Sequence, residues 1–125
     1  GLSTNDDLVF EGTYLSTSGY AGMKHLLSSV KPVSAVFVAN GSMAIGALAA
    51  AFDMAARIPD DIAVVCIDKF SQMDDVRPLL TTIDYNPQVV GYQAATLLLE
   101  RIRGEAPIEA RSVHVPYSLY KGNTA

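Results

Sequence analysis

Asp68 follows an apolar run, Ile62-Ala-Val-Val-Cys-Ile67, and Asn40 follows another, Ser34-Ala-Val-Phe-Val-Ala39. A carboxylate just past a buried strand accepts hydrogen bonds from ligand hydroxyls or ring N–H groups; the same placement also suits an aspartate that caps the next turn. The Asn40 amide offers a sugar both a donor and an acceptor, although Asn40-Gly41 is equally an ordinary turn dipeptide. Lys69, beside Asp68, either favours an anionic ligand such as a sugar phosphate or acid, or is a solvated charge. Asn40-Gly41-Ser42 also spells a glycosylation sequon, and a buried strand end argues against its use.

Covalent chemistry finds little to work with. His25 and His114 are far apart and lack carboxylate or cysteine neighbours at metal-ligand spacing. There is no Gly-x-Ser-x-Gly elbow, phosphate loop or dinucleotide fingerprint. The acidic pairs Asp6-Asp7, Asp60-Asp61 and Asp74-Asp75 fall in expected turns or on a short helix and read as solvated faces. The lone cysteine, Cys66, near a strand end, reads as an inert buried thiol. The expectation is a binding module with no catalytic residue, no metal and no cofactor.

Composition narrows the partners. Half of the 125 residues are apolar and 18% are charged, which supports a folded core. A net charge of −4 repels phosphate, so this segment is not expected to grip nucleic acid by itself. The longest apolar run, Met43 to Phe52, is about half of the roughly 20 residues a membrane helix needs. The first seven residues lack the cationic and apolar regions of a signal peptide. One cysteine agrees with a reducing cytosol.

The elements that must hold Asp68 and Asn40 alternate in type. Leu8 to Phe10 is a predicted strand, and Ser16 to Ser18 caps a helix running to about Val30, stopped by Pro32. Ser34 to Ala39 is a strand. Ser42 caps an apolar helix from Met43 to about Arg57, whose Gly46, Ala47, Ala50 and Ala51 admit another backbone closely. Pro59-Asp60-Asp61 is a turn before the strand Ile62 to Ile67, and a short helix covers Ser71 to Val76. Leu80 to Tyr85 is a strand, Asn86 caps a helix with Pro87 at its first position and Gly104 closing it, and Ser112 to Val115 is a last strand. Strands separated by helices imply an α/β fold with a parallel sheet covered on both faces. Ligands in such sheets sit beyond the carboxyl ends of the strands, which selects Gly12 to Tyr14, Asn40-Gly41 and Asp68-Lys69.

Three stretches in this order resemble the lactose-repressor (LacI/GalR) family of transcription regulators. They are Ala35-Val-Phe-Val-Ala-Asn-Gly-Ser-Met-Ala-Ile-Gly-Ala-Leu48, Ile58-Pro-Asp-Asp-Ile-Ala-Val-Val-Cys-Ile-Asp68, and Arg77-Pro-Leu-Leu-Thr-Thr-Ile83 followed by a helix containing Gly91. Glu11-Gly-Thr-Tyr14 and Ser18-Gly19-Tyr20 are a weaker match. The resemblance implies a periplasmic-binding-protein-like three-layer sandwich. In particular it implies most of the C-terminal lobe of an effector domain, residues 1–125, with the helix and strand that cross to the other lobe. The DNA-binding headpiece and most of the first lobe would then lie outside this sequence.

By that resemblance Asp68 is the main acidic effector contact, Asn40 a pocket position and Tyr14 the aromatic on which effectors stack; Lys69 joins them as a candidate contact. Three residues depart from the family pattern: Gly41 where aspartate is usual, Lys69 where a small polar or acidic residue is usual, and Cys66 where glycine is common. They bear on the effector's identity more than on the fold. The apolar helix after Ser42 and the segment Phe70 to Val76 correspond to a region of dimerisation, with Ile45, Leu48, Phe70 and Met73 as interface candidates; burial on two sides of the sandwich accounts for the same apolarity. The implied protein is a cytoplasmic homodimer that binds a sugar, sugar derivative or nucleobase and meets DNA only through the headpiece. The alternative is an exported solute-binding protein of an ABC transport system, which an upstream signal peptide in place of a helix-turn-helix segment would reveal. A doubly wound enzyme is a third reading, supported only by turnover that disappears in Asp68→Ala.

Overall fold

Four short strands make one sheet in the order β1-β2-β3-β4: β1 (Ala35–Val38), β2 (Ala63–Ile67), β3 (Thr81–Asp84) and β4 (Ser118–Tyr120). The computed structural model describes residues 6–31, 33–69 and 71–125. Strands β1, β2 and β3 run parallel, with Ala35 opposite Ala63 and Cys66 opposite Thr82. Strand β4 is antiparallel to β3, with Thr82 opposite Tyr120. Among the described residues the outer edge of β1 is unpaired.

Helices α1 (Ser16–Leu27) and α2 (Gly41–Asp53) pack on each other, and α2 lies against β1 and β2. Their contact is close because glycines meet backbone. A Cβ on Gly46 would overlap the Ser16 carbonyl, and one on Gly19 would overlap the Met43 carbonyl. Met23 of α1, Met43, Ala47 and Ala51 of α2, and Val38, Val64 and Cys66 of the sheet form one apolar cluster with Ile62, Met73 and Leu80. Burying a large apolar side chain contributes about 1.5–3 kcal/mol, so the α1–α2 face of the sheet carries most of the apolar stabilisation.

Helix α3 (Pro87–Ile102) stands apart and buries none of its residues. Its start is the one expected: Asn86 caps it by accepting from the Val89 amide, Pro87 follows, and Gly104 sits at φ 73 beyond its end. Within this chain the second face of the sheet is therefore thinly covered, and Phe37 on β1 remains 62% exposed.

Several boundaries differ from expectation. Helix α1 stops at Leu27 rather than near Val30, and Pro32 lies outside the described residues. Helix α2 is capped by Asn40, not Ser42: Asn40 has extended backbone and its Oδ1 accepts from the Met43 amide at 2.8 Å. That helix ends at Asp53, short of Arg57, where Ala55 turns to φ 55. Arg57 instead clasps Asp61 across the Pro59 turn at 2.6 Å and holds that carboxyl down to about pKa 2.

Two predicted strands do not form. Asp6–Leu8 is a 3-10 helix, and Val9 and Phe10 are irregular and do not pair with the open outer edge of β1. Phe10 packs instead against the His25 ring at 5.7 Å and over Gly22. Residues 112–115 are also irregular, and the last strand is β4, which follows Pro116. The short helix expected at Ser71 to Val76 is a 3-10 helix, Ser71–Asp75.

Candidate functional site

The carboxyl ends of β2 and β3 and the start of α3 enclose a cleft of about 540 Å³. Asp68, the first residue past β2, lines it beside Lys69, and Asp84, the last residue of β3, lines it with Asn86 and Gln88. Asp68 holds φ 81, in the left-handed region. A non-glycine residue there costs on the order of 1–3 kcal/mol and persists only where its surroundings fix it. One such fixture is a backbone hydrogen bond. The Asp68 amide donates to the Ile83 carbonyl at 2.9 Å, carrying the β2–β3 ladder one residue beyond the strand.

Carboxylates dominate the cleft. Asp68, Asp74 and Asp84 face one lysine, Lys69, which pairs with Asp74 at 3.8 Å. Burial, followed by the Asp68 charge, raises the Tyr85 pKa above the usual 10. Asp84 Oδ1 accepts from the Asn86 amide at 3.1 Å, locking the turn from β3 into α3. Such a wall of acceptors suits a ligand rich in hydroxyl or N–H donors and opposes an anion.

The four residues expected at the site do not all meet. Asp68 and Lys69 share the carboxylate cleft. Tyr14, 68% exposed and at φ 63, lines a second and larger cleft of about 840 Å³ with Phe10, Val38 and Met43. Asn40 lines neither; its Nδ2 donates to the Tyr14 carbonyl at 3.0 Å while its Oδ1 caps α2. It thus sets the backbone of Tyr14, and the same engagement leaves its amide spoken for as a sequon. Ser18 closes the neighbouring turn, its hydroxyl donating to the Leu15 carbonyl at 2.8 Å and accepting from the Thr13 amide at 3.0 Å.

Of the interface candidates, Leu48 and Met73 are already buried inside this chain, while Ile45 is exposed; Phe70 lies outside the described residues. Cys66 is buried, and burial pushes its thiol up, as expected of an inert sulfur. Among the described residues no three metal-ligating side chains converge, and no helix is long and apolar enough to cross a membrane.

Sequence reasoning misses Asp84, Asn86, Gln88 and Asp74 as site residues. Asp84 carries a usable signal: it ends a strand as Asp68 follows one, and the strand-end rule applies to both. Asp74 enters only because the 3-10 helix folds back toward Lys69, which no local pattern announces.

The likeness to known proteins is extensive. Residues 2–125 match the periplasmic binding protein-like domain family. The HTH-type transcriptional repressor PurR of Pasteurella multocida (strain Pm70) is 36% identical over 113 residues, 90% of this chain and 33% of the relative. Among solved structures, the transcriptional regulator CelR in complex with cellobiose superposes with a TM-score of 0.88 at 30% identity, over 99% of this chain and 38% of that one. A lac repressor dimer bound to operator and the anti-inducer ONPF gives 0.80 at 31% identity, over 91% of this chain and 34% of that one. The chain spans about a third of the length of the curated relatives it matches. With its parallel-dominated open sheet and its cleft at the strand ends, the chain belongs to the periplasmic binding protein-like domain family, in the form carried by lactose-repressor-type transcriptional regulators.

Proposed function

We propose that this chain is the effector-sensing part of a lactose-repressor-type transcription regulator, and that Asp68 is its principal ligand contact. The observation that carries this reading is the left-handed Asp68 at the carboxyl end of β2, presented to a cleft whose other wall is Asp84 and Asn86. Its acceptors select a neutral, donor-rich effector: a sugar, a sugar derivative or a nucleobase. The regulator solved with cellobiose makes that sugar the first compound to try. In this reading the protein works by binding rather than turnover, as its likeness to transcriptional regulators supports. The effector acts by its differential affinity for two arrangements of the regulator. The regulator is a cytoplasmic dimer that reads DNA through a separate headpiece, as the operator-bound lac repressor dimer suggests.

A thermal-shift screen of the full-length gene product with cellobiose, other sugars, sugar acids and nucleobases tests the reading. A compound at about 100 times its dissociation constant stabilises by roughly 2.7 kcal/mol, and Asp68→Asn should abolish that shift. A shift that survives Asp68→Asn unchanged would move the site elsewhere.

A further inference from the structure

Among the described residues that line the carboxylate cleft, Lys69 is the one cation, and it is already engaged. Its Nζ lies 3.9 Å from the centroid of the Tyr120 ring, inside the roughly 6 Å range of cation–π attraction. The same nitrogen is 3.8 Å from Asp74 Oδ1, and the Tyr120 hydroxyl donates to that oxygen at 3.3 Å. Three segments therefore meet at one ammonium: the loop after β2, the 3-10 helix, and β4. The Lys69 side chain is only 26% exposed, so the stacking is partly shielded from water.

We infer that Lys69 is a positioning residue that clamps the Asp68 loop onto β4 through Tyr120 and Asp74, and that it is not a receptor for an anionic effector. This deepens the reading of Asp68 as the ligand contact and rests on it. Tyr120 is a firm anchor, because it pairs in register with Thr82, which is fully buried. Asp68 is next in sequence to the clamped lysine, and its φ of 81 needs holding on more than one side. The Asp68 amide to Ile83 ties the loop to β3; the Lys69 stack ties it to β4. An anionic ligand would have to draw the ammonium off two partners and then lie against Asp68 and Asp84.

Amide hydrogen exchange followed by NMR, on the chain itself and without ligand, tests the clamp separately from effector binding. Losing a shielded cation–π contact is equivalent to about 1.4 kcal/mol, or tenfold in an equilibrium. Lys69→Met and Tyr120→Leu should each speed exchange at the Asp68 amide about tenfold. The Val64 amide, bonded to the Thr124 carbonyl near the opposite end of β2, should keep its rate. Lys69→Arg should restore protection at Asp68, since a guanidinium also stacks on a ring. An unchanged Asp68 rate in Lys69→Met would show a solvated charge and overturn the clamp. Equal acceleration at Asp68 and Val64 would overturn it too, as general destabilisation. So would glucose 6-phosphate that binds the wild type but not Lys69→Met while the Asp68 amide is unaffected. If Lys69→Met does not fold, the comparison of Tyr120→Leu with Tyr120→Phe replaces it, with protection lost in the first and kept in the second.

Discussion

The Thr124 hydroxyl donates to the Val64 carbonyl at 2.6 Å, joining residues 60 positions apart inside the sheet. The same oxygen accepts from the Thr81 amide at 2.9 Å, and the Thr124 carbonyl accepts from the Val64 amide at 2.7 Å. Thr124 is completely buried. The end of the chain is thus wedged between the starts of β2 and β3, opposite the end that carries Asp68. Thr124→Val keeps the shape and removes the hydroxyl, leaving the Thr81 amide buried without that acceptor. A loss of about 1–3 kcal/mol is expected, read as a lower urea midpoint with an unchanged slope. Thr124→Ser should recover most of it. A wild-type midpoint for Thr124→Val would mean that water replaces the hydroxyl and the wedge does not stabilise the sheet.

Glycine gives a prediction with two signs. In a helix alanine is favoured over glycine by about 1 kcal/mol. At Gly46 the new Cβ would meet the Ser16 carbonyl, and at Gly19 the Met43 carbonyl, both backbone that cannot swing away. Overpacking there costs about 1–3 kcal/mol or more, so Gly46→Ala and Gly19→Ala should lower the melting temperature despite better propensity. At Gly91, on α3, an added methyl would find nothing within 4 Å. Gly91→Ala should therefore raise it, by the equivalent of about 0.5–1 kcal/mol. Melting curves of the three variants beside the wild type decide the matter; a stabilised Gly46→Ala would show that α1 and α2 are not in backbone contact.

Much of this is legible in the residues, and the exceptions have physical causes. The runs 35–38 and 63–67 are short, apolar and β-branched, and they form the parallel pair expected of them. Asn86, Pro87 and Gly104 delimit α3 by local chemistry alone: Asn86 caps the Val89 amide, Pro87 fixes its own φ, and Gly104 turns to φ 73. Gly46 among alanines correctly announces a close helix contact. What fails depends on distant partners. Leu8 to Phe10 has a strand's composition but packs Phe10 against His25 and Gly22 instead of pairing with the open edge of β1, and β4 with Thr124 is fixed by hydrogen bonds to residues some 40 to 60 positions away. At the site, Asp68 and Lys69 come together because they adjoin in sequence, whereas Tyr14 and Asn40 are bonded to each other, away from the carboxylate cleft. An asparagine before a helix reads the same way whether it waits for a ligand or caps the helix, and only the Met43 amide distinguishes them.

Tyr85 reports on the charge of the site. Its phenol titrates above the usual 10, first because it is partly buried and second because ionising it would place a phenolate beside the Asp68 carboxylate. The two causes separate cleanly by substitution. Asp68→Asn removes the negative charge and keeps the side chain's size, so the Tyr85 pKa should fall, yet stay above that of a free tyrosine because the burial remains. Phenolate absorbance, taken as the difference between each protein and its Tyr85→Phe counterpart, isolates this group from the other five tyrosines, with circular dichroism confirming that the fold persists across the titration. A bound neutral sugar that hydrogen-bonds Asp68 would leave that carboxylate charged while shutting out water, and so should push the Tyr85 titration further up rather than down. An identical Tyr85 titration in wild type and Asp68→Asn would mean that the Asp68 carboxylate points away from Tyr85 and that burial alone raises the phenol's pKa.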